Sequence, residues 1–109
     1  MSEEGHETPI LDLIEMMTMR SLDASGLDAK SLMLVRLAAL VAVDAPPVSY
    51  MLNLNIASEL GIDSQDARDV LAAVAPIVGT VRVASAMTNI VKGLGLAIDL
   101  IELEELAQD

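Results

Sequence analysis

The chain has 109 residues, a length that suits one domain, and 53% of it is hydrophobic with Tyr50 as the single aromatic. Its core must therefore be Leu, Val, Ile, Ala and Met, and that aliphatic excess gives a monomer more apolar surface than it can readily hide. Seventeen acids against six scattered bases leave a net charge of −11, which excludes the clustered positive charge that nucleic acids and anionic membrane surfaces require, and the absence of cysteine excludes disulfides, thiolate nucleophiles and cysteine metal sites.

Residues 1–7 read as a disordered acidic tail, and residues 8–109 as one helical domain. The tail holds His6, the one histidine, which has no companion ligands; neither a metal nor a cofactor is expected. "MSEEGHETP" is acidic where a secretory signal is basic. The longest charge-free runs, such as 45–58 and 70–81, fall short of the ~20 residues a spanning helix needs. A cytoplasmic location is the expectation.

Thr8 and Pro9 make an N-cap and first-turn pair. Ile10, Leu13, Ile14 and Met17 follow at helical spacing, so a first helix is predicted to about Arg20. "SLDASGLD" is a polar connection. Asp28 caps a second helix, "AKSLMLVRLAALVAV", which is apolar nearly all round and so reads as buried. Only Arg36 interrupts it. Asp44 and the two prolines after it end this helix and open a third, which runs to Gly61.

Asp63 or Ser64 caps a fourth helix, whose stripe is Leu71, Val74, Ala75 and Val78. Pro76 predicts a kink or a loosened last turn. Gly79 closes this helix and Thr80 caps a fifth, carrying Val83, Met87, Ile90, Val91, Leu94, Ile98 and Ile101. Gly93 and Gly95 weaken it by up to about 1 kcal/mol each relative to Ala, which predicts a bend or break. No strand alternation is present. The expected fold is all-α, a compact antiparallel domain of five to six helices.

The run "LMLVRLAALVAVDAPPVSYMLNLNIASELGID", followed by "ARDVLAAVAPIVGTVRVASAM", resembles the carboxymuconolactone decarboxylase family, which includes the alkylhydroperoxidase D proteins. The resemblance covers about residues 28 to 92 and rests on the order of its parts: an apolar helix, a turn, a helix ending in Gly, an amphipathic helix, then Gly and a further helix. It implies an alkylhydroperoxidase D-like fold and a homotrimer or homohexamer. Helices two and five are expected to supply much of the subunit contact.

Redox members of that family carry Cys-x-x-Cys-x-x-x-His at the turn and a glutamate on the preceding helix. In this chain the same spacing falls on Pro46, Ser49 and Asn53, and the glutamate at about Met33 or Leu34. A dithiol near a helix N-terminus reacts with peroxide because the dipole lowers its pKa and sulfur cycles through sulfenic acid and disulfide. Serine and proline have no such states. The resemblance therefore implies a member without thiol peroxidase activity.

The candidate pocket residues are Asp44, Ser49, Tyr50, Asn53 and Arg36. Asp44 is first a helix cap and second a base. Ser49 has no histidine to activate it. Tyr50 packs its ring and seeks a partner for its hydroxyl. Asn53 and Asn55 point to different faces, so at most one lines a given pocket. Arg36, mid-helix among apolar neighbours, must be paired; Asp44, Glu59, Asp69 and Asp99 are its candidate partners, and a carboxylate ligand is the functional alternative. Arg82, near a helix N-terminus, also needs a partner. The leading expectation is a non-redox, homo-oligomeric binding or structural protein that takes a small apolar or carboxylate-bearing molecule. The runner-up is a cysteine-independent lyase or isomerase using Asp44 and Tyr50.

Overall fold

The computed structural model describes residues 8–108, with the backbone alone for Asn55, Ile56 and residues 96–108. The predicted tail and His6, and the side chains of Asn55, Ile98, Asp99 and Ile101, lie outside the described residues. Five helices make up the described chain: α1 (Pro9–Ala24), α2 (Ala29–Ala42), α3 (Pro47–Glu59), α4 (Ser64–Val78) and α5 (Thr80–Gln108). The described residues hold no strand, and no described helix is long and apolar enough to cross a membrane.

Local chemistry sets most of the boundaries. The Asp28 carboxylate accepts from the Ser31 amide at 2.7 Å and caps α2. Asp63, rather than Ser64, caps α4. Its carboxylate accepts from the Asp66 amide at 3.0 Å while Asp66 accepts from the Asp63 amide at 3.1 Å, a reciprocal pair that satisfies two orphan donors. Pro47 opens α3, where a missing N–H costs nothing.

Both capping carboxyls titrate below the ordinary Asp value. At Asp28 the side chain and then the amide of Ser31 lower it, and at Asp63 the Asp66 amide does so first. A depressed folded pKa contributes stability that is fully present above the unfolded value of about 3.9 and is lost as pH falls through the folded one. Wild type is therefore expected to lose melting temperature on acidification below about pH 4. Asp63→Asn, which still accepts the amide but carries no charge, should show a shallower loss over the same window.

Several expectations are corrected in whole or in part. α1 continues past Arg20 to Ala24, since nothing in residues 21–24 breaks a helix, and Ser25 ends it in extended backbone. Thr8 does take the N-cap position with Pro9 in the first turn, but its hydroxyl reaches Asp12 Oδ1 at 3.4 Å rather than a backbone amide. Thr80 is the first residue of α5 rather than its cap; a single Gly79 at φ 87° joins α4 to α5. Of the expected bend or break at Gly93 and Gly95, the break is absent: the fifth helix is continuous through both. α4 also runs through Pro76 to Val78: so near the helix end, proline removes one hydrogen bond and leaves little helix beyond it to redirect.

The core is where α2, α3, α4 and α5 meet. α3 packs most extensively on α5, and α2 on α4. Leu37, Val41, Ala45, Tyr50, Leu71, Ala86 and Ile90 form one buried cluster, flanked by Val70, Val74, Val78 and Val83. Tyr50 and Val41 are fully buried. α2 is half-buried rather than buried all round, with Val35 exposed. α1 stands apart from this core and buries none of its residues. Ile10, Ile14 and Met17 are 72%, 49% and 62% exposed, and Leu11, Leu13, Met16, Met19 and Leu22 are exposed too.

Candidate functional site

The α2–α3 turn is held by an unusual helix ending. The Asp44 amide donates to the Val41 carbonyl at 3.2 Å and the Ala45 amide to the Leu40 carbonyl at 3.0 Å. This pair of bonds is a Schellman ending, in which the residue after the C-cap adopts the left-handed conformation and is usually Gly. Here it is Asp44, at φ 55°. The end of α3 supplies the comparison within the same chain: Gly61 donates to Ser58 at 3.2 Å and Ile62 to Ala57 at 3.1 Å, with Gly61 at φ 80°. Asp44 thus tolerates a backbone that glycine takes at the next equivalent place.

Its side chain has a partner there. The Ser85 hydroxyl donates to Asp44 Oδ1 at 2.6 Å, within the short range of hydrogen bonds to a charged acceptor. The Asn89 amide donates to the Ala45 carbonyl at 3.2 Å and to Ser85 Oγ at 3.4 Å. The Arg82 guanidinium donates to the Ala42 carbonyl, where a cation meets the negative end of α2. Arg82, Ser85 and Asn89 lie on one face of α5 at helical spacing, and together they fasten the turn to α5. Asp44 is therefore not the N-cap of α3; that position is Pro46.

This arrangement predicts two different outcomes at one position. Asp44→Gly relieves the left-handed strain, about 1 kcal/mol, and loses the Ser85 bond, about 1 kcal/mol. Its urea midpoint is expected to stay close to wild type. Asp44→Ala loses the bond and keeps the strain, and is expected to be about 1–2 kcal/mol less stable. Both variants lose the Ser85 bond, so equal midpoints would contradict the strain assigned to the left-handed backbone at this position.

Tyr50 sits behind the same turn. Its hydroxyl is buried and has no hydrogen-bond partner among the described residues. Burial pushes the phenol above its ordinary pKa, and the Asp44 carboxylate adds to this. The phenol is thus held neutral, closed off from solvent.

The other candidates point elsewhere. Arg36 and Asn53 line a cavity of about 320 Å³ between α1, α2 and α3, with Met17, Thr18 and Ser21 on its α1 side. The Arg36 guanidinium donates to the Thr18 carbonyl at 3.2 Å and makes no ion pair with a described carboxylate; the one ion pair among the described residues is Lys30–Asp66 at 3.8 Å. Asn53 Nδ2 donates to the Ser49 carbonyl at 2.9 Å. Ser49 is half-buried and lines neither this cavity nor the next. The structure therefore splits the expected set: Asp44 and Tyr50 face the α5 latch, while Arg36 and Asn53 face α1.

A second cavity, of about 310 Å³, lies between α3, α4 and α5. Leu54, Leu71, Met87, Ile90, Val91 and Leu94 give it apolar walls, and Asp63, Ser64 and Arg68 stand among its lining. Its volume is at the lower end of ligand pockets, about 300–1,000 Å³. Sequence reasoning missed it, along with Ser85 and Asn89. No protein-family profile, curated protein or solved structure matches the chain.

Proposed function

We propose that the chain is a cysteine-less relative of the carboxymuconolactone decarboxylase family, with an alkylhydroperoxidase D-like fold, that works as a non-redox homo-oligomeric binding or structural protein. The observation that carries this reading is α1, a 16-residue helix with eight exposed large apolar side chains and none buried. Isolated helices of that length are marginal in water, and an apolar patch of this extent on a soluble chain marks an interaction surface. The first helix thus joins helices two and five, which also expose Val35, Val81 and Val91, as an expected contact surface. The family resemblance suggests a trimer or hexamer.

The start of α3 supports the loss of redox chemistry. Pro46, Ser49 and Asn53 occupy the helix mouth and its first turns, and none of them can cycle between thiol and disulfide. The Arg36 and Asn53 cavity and the apolar cavity offer places for a small carboxylate-bearing or apolar molecule. A lyase or isomerase using Asp44 and Tyr50 is the weaker reading, because a general acid must come within hydrogen-bond reach of its substrate and the Tyr50 hydroxyl is sealed in the core.

Sedimentation velocity tests the proposal. The native chain should sediment as a multiple of its 11.5 kDa mass, and the double variant Ile14→Asp/Met17→Asp as a helical monomer. With peroxide and a dithiol reductant, the purified chain should give no turnover. A native monomer at every concentration, or peroxide turnover, would contradict it.

A further inference from the structure

Seventeen acids are spread along the chain, yet no described acid lines the cavity between α1, α2 and α3, whose one charged wall is the Arg36 guanidinium. Two further cavities differ in this respect. Arg68 stands beside Asp63 in the α3–α4–α5 cavity, and a cavity along α1 sets Arg20 among Asp12, Glu15 and Asp23. Arg36 is also short of acceptors. A guanidinium carries five N–H donors and a fixed positive charge. Half-buried Arg36 donates to the Thr18 carbonyl at 3.2 Å, a neutral acceptor inside α1 that the helix ladder also uses, and it pairs with no described carboxylate. We infer that this cavity binds a small monocarboxylate with a short apolar tail, its carboxylate paired with Arg36.

Head, tail and size each follow from the walls. A carboxylate matches the planar guanidinium fork in two parallel bonds. Ser21 of α1 and Asn53 of α3 stand in the same lining. The Asn53 amide keeps one N–H after its bond to the Ser49 carbonyl at 2.9 Å. Met17, Ala39 and Leu40 complete the cavity and suit an aliphatic tail. A second negative charge would meet no second cation there and would enter the field of a chain with net charge −11, which disfavours dicarboxylates and phosphate. The volume of about 320 Å³ is the space of about ten waters, so the occupant has roughly ten non-hydrogen atoms or fewer.

The inference rests on the binding reading, narrowing it to one cavity and one ligand class, and the test separates the two. The isotope-labelled full-length chain is titrated with sodium hexanoate at constant ionic strength and followed by NMR. The expected result is saturable shifts at the Arg36 side-chain N–H and at the Ser21 and Asn53 amides. Hexanamide, adipate and inorganic phosphate should each bind at least tenfold more weakly. Two variants should each weaken hexanoate at least tenfold: Arg36→Gln, which removes the cation, and Ala39→Phe, which fills the cavity from an exposed position on α2 and leaves Arg36 in place. Arg68→Gln, in the other cavity, should leave the affinity within twofold of wild type. Hexanoate binding that survives Arg36→Gln and Ala39→Phe, or that is lost in Arg68→Gln alone, would overturn this site and leave the binding reading standing elsewhere on the chain. Hexanamide, adipate or phosphate binding as tightly as hexanoate would overturn the ligand class. No saturable shift with hexanoate would overturn the inference, while the mass in sedimentation velocity decides self-association independently.

Discussion

Tyr50→Ala is expected to be the most damaging single substitution in the core, lowering stability by about 3–5 kcal/mol, as other large aromatic truncations do. Tyr50 is the largest fully buried side chain, and it packs where α2, α3, α4 and α5 converge. Tyr50→Phe has the opposite sign. It keeps the ring and removes a buried hydroxyl that has no partner among the described residues. An unsatisfied buried polar group costs about 1–3 kcal/mol, so the phenylalanine variant is expected to gain about 1 kcal/mol after the small void left by the oxygen is counted. The alkaline limb sharpens the comparison. Because the phenol is raised by burial and by Asp44, its contribution is fully present below the ordinary value of about 10 and is lost as pH rises through the folded one. Wild type should therefore destabilise above about pH 10 more steeply than Tyr50→Phe. A phenylalanine variant less stable than wild type at neutral pH would mean that the hydroxyl has a bonded partner in solution.

Two glycines two residues apart on α5 are expected to respond in opposite directions. A Cβ at Gly93 would lie 2.9 Å from the Pro47 carbonyl oxygen, 3.0 Å from the Met51 amide nitrogen and 3.1 Å from Tyr50 Cβ. Two of those atoms are backbone, so the α3–α5 packing itself must open. Alanine recovers up to about 1 kcal/mol of helix propensity. Overpacking a tight contact costs about 1–3 kcal/mol, and with backbone on the far side the upper part of that range applies. Gly93→Ala is therefore expected to lose about 1–2 kcal/mol, roughly 5–10 °C in melting temperature for a domain of this size. A Cβ at Gly95 would meet nothing within 4 Å among the described residues, so Gly95→Ala keeps the propensity gain and should be stabilised by up to about 1 kcal/mol. Melting curves at one fixed protein concentration check the pair. A rise in both would show that the α3–α5 contact is looser than its geometry.

Much of the helical order was legible because its signals are local. Asp28 and Asp63 announce helix starts through side-chain bonds that span three residues. The prolines at 46 and 47 mark a boundary by their own covalent geometry. Asp44 misled because two motifs overlap in "DAPP". An aspartate just before a helix reads as its N-cap, whereas here the preceding helix claims that residue for its left-handed ending. Ser85 and Asn89 look like solvated positions until α2 ends beside them. Arg36 invited a carboxylate because a guanidinium among apolar residues requires an acceptor; the acceptor is the Thr18 carbonyl, which carries no side-chain signature. Gly93 was read through propensity, a single-helix property, while its role is the close approach of two helices. The candidate pocket split for the same reason: Tyr50 and Asn53 share a helix, but packing turns one to the core and the other toward α1.

The central claim is that the exposed apolar face of α1 is covered by a second copy of the chain. Amide hydrogen exchange along α1, followed while the protein is diluted, tests it most directly. The prediction is strong protection of residues 10–24 at high concentration that disappears on dilution, while α2 and α5 stay protected through the core they share. Amides of α1 that exchange at the rate of an unstructured peptide at every concentration would contradict the claim.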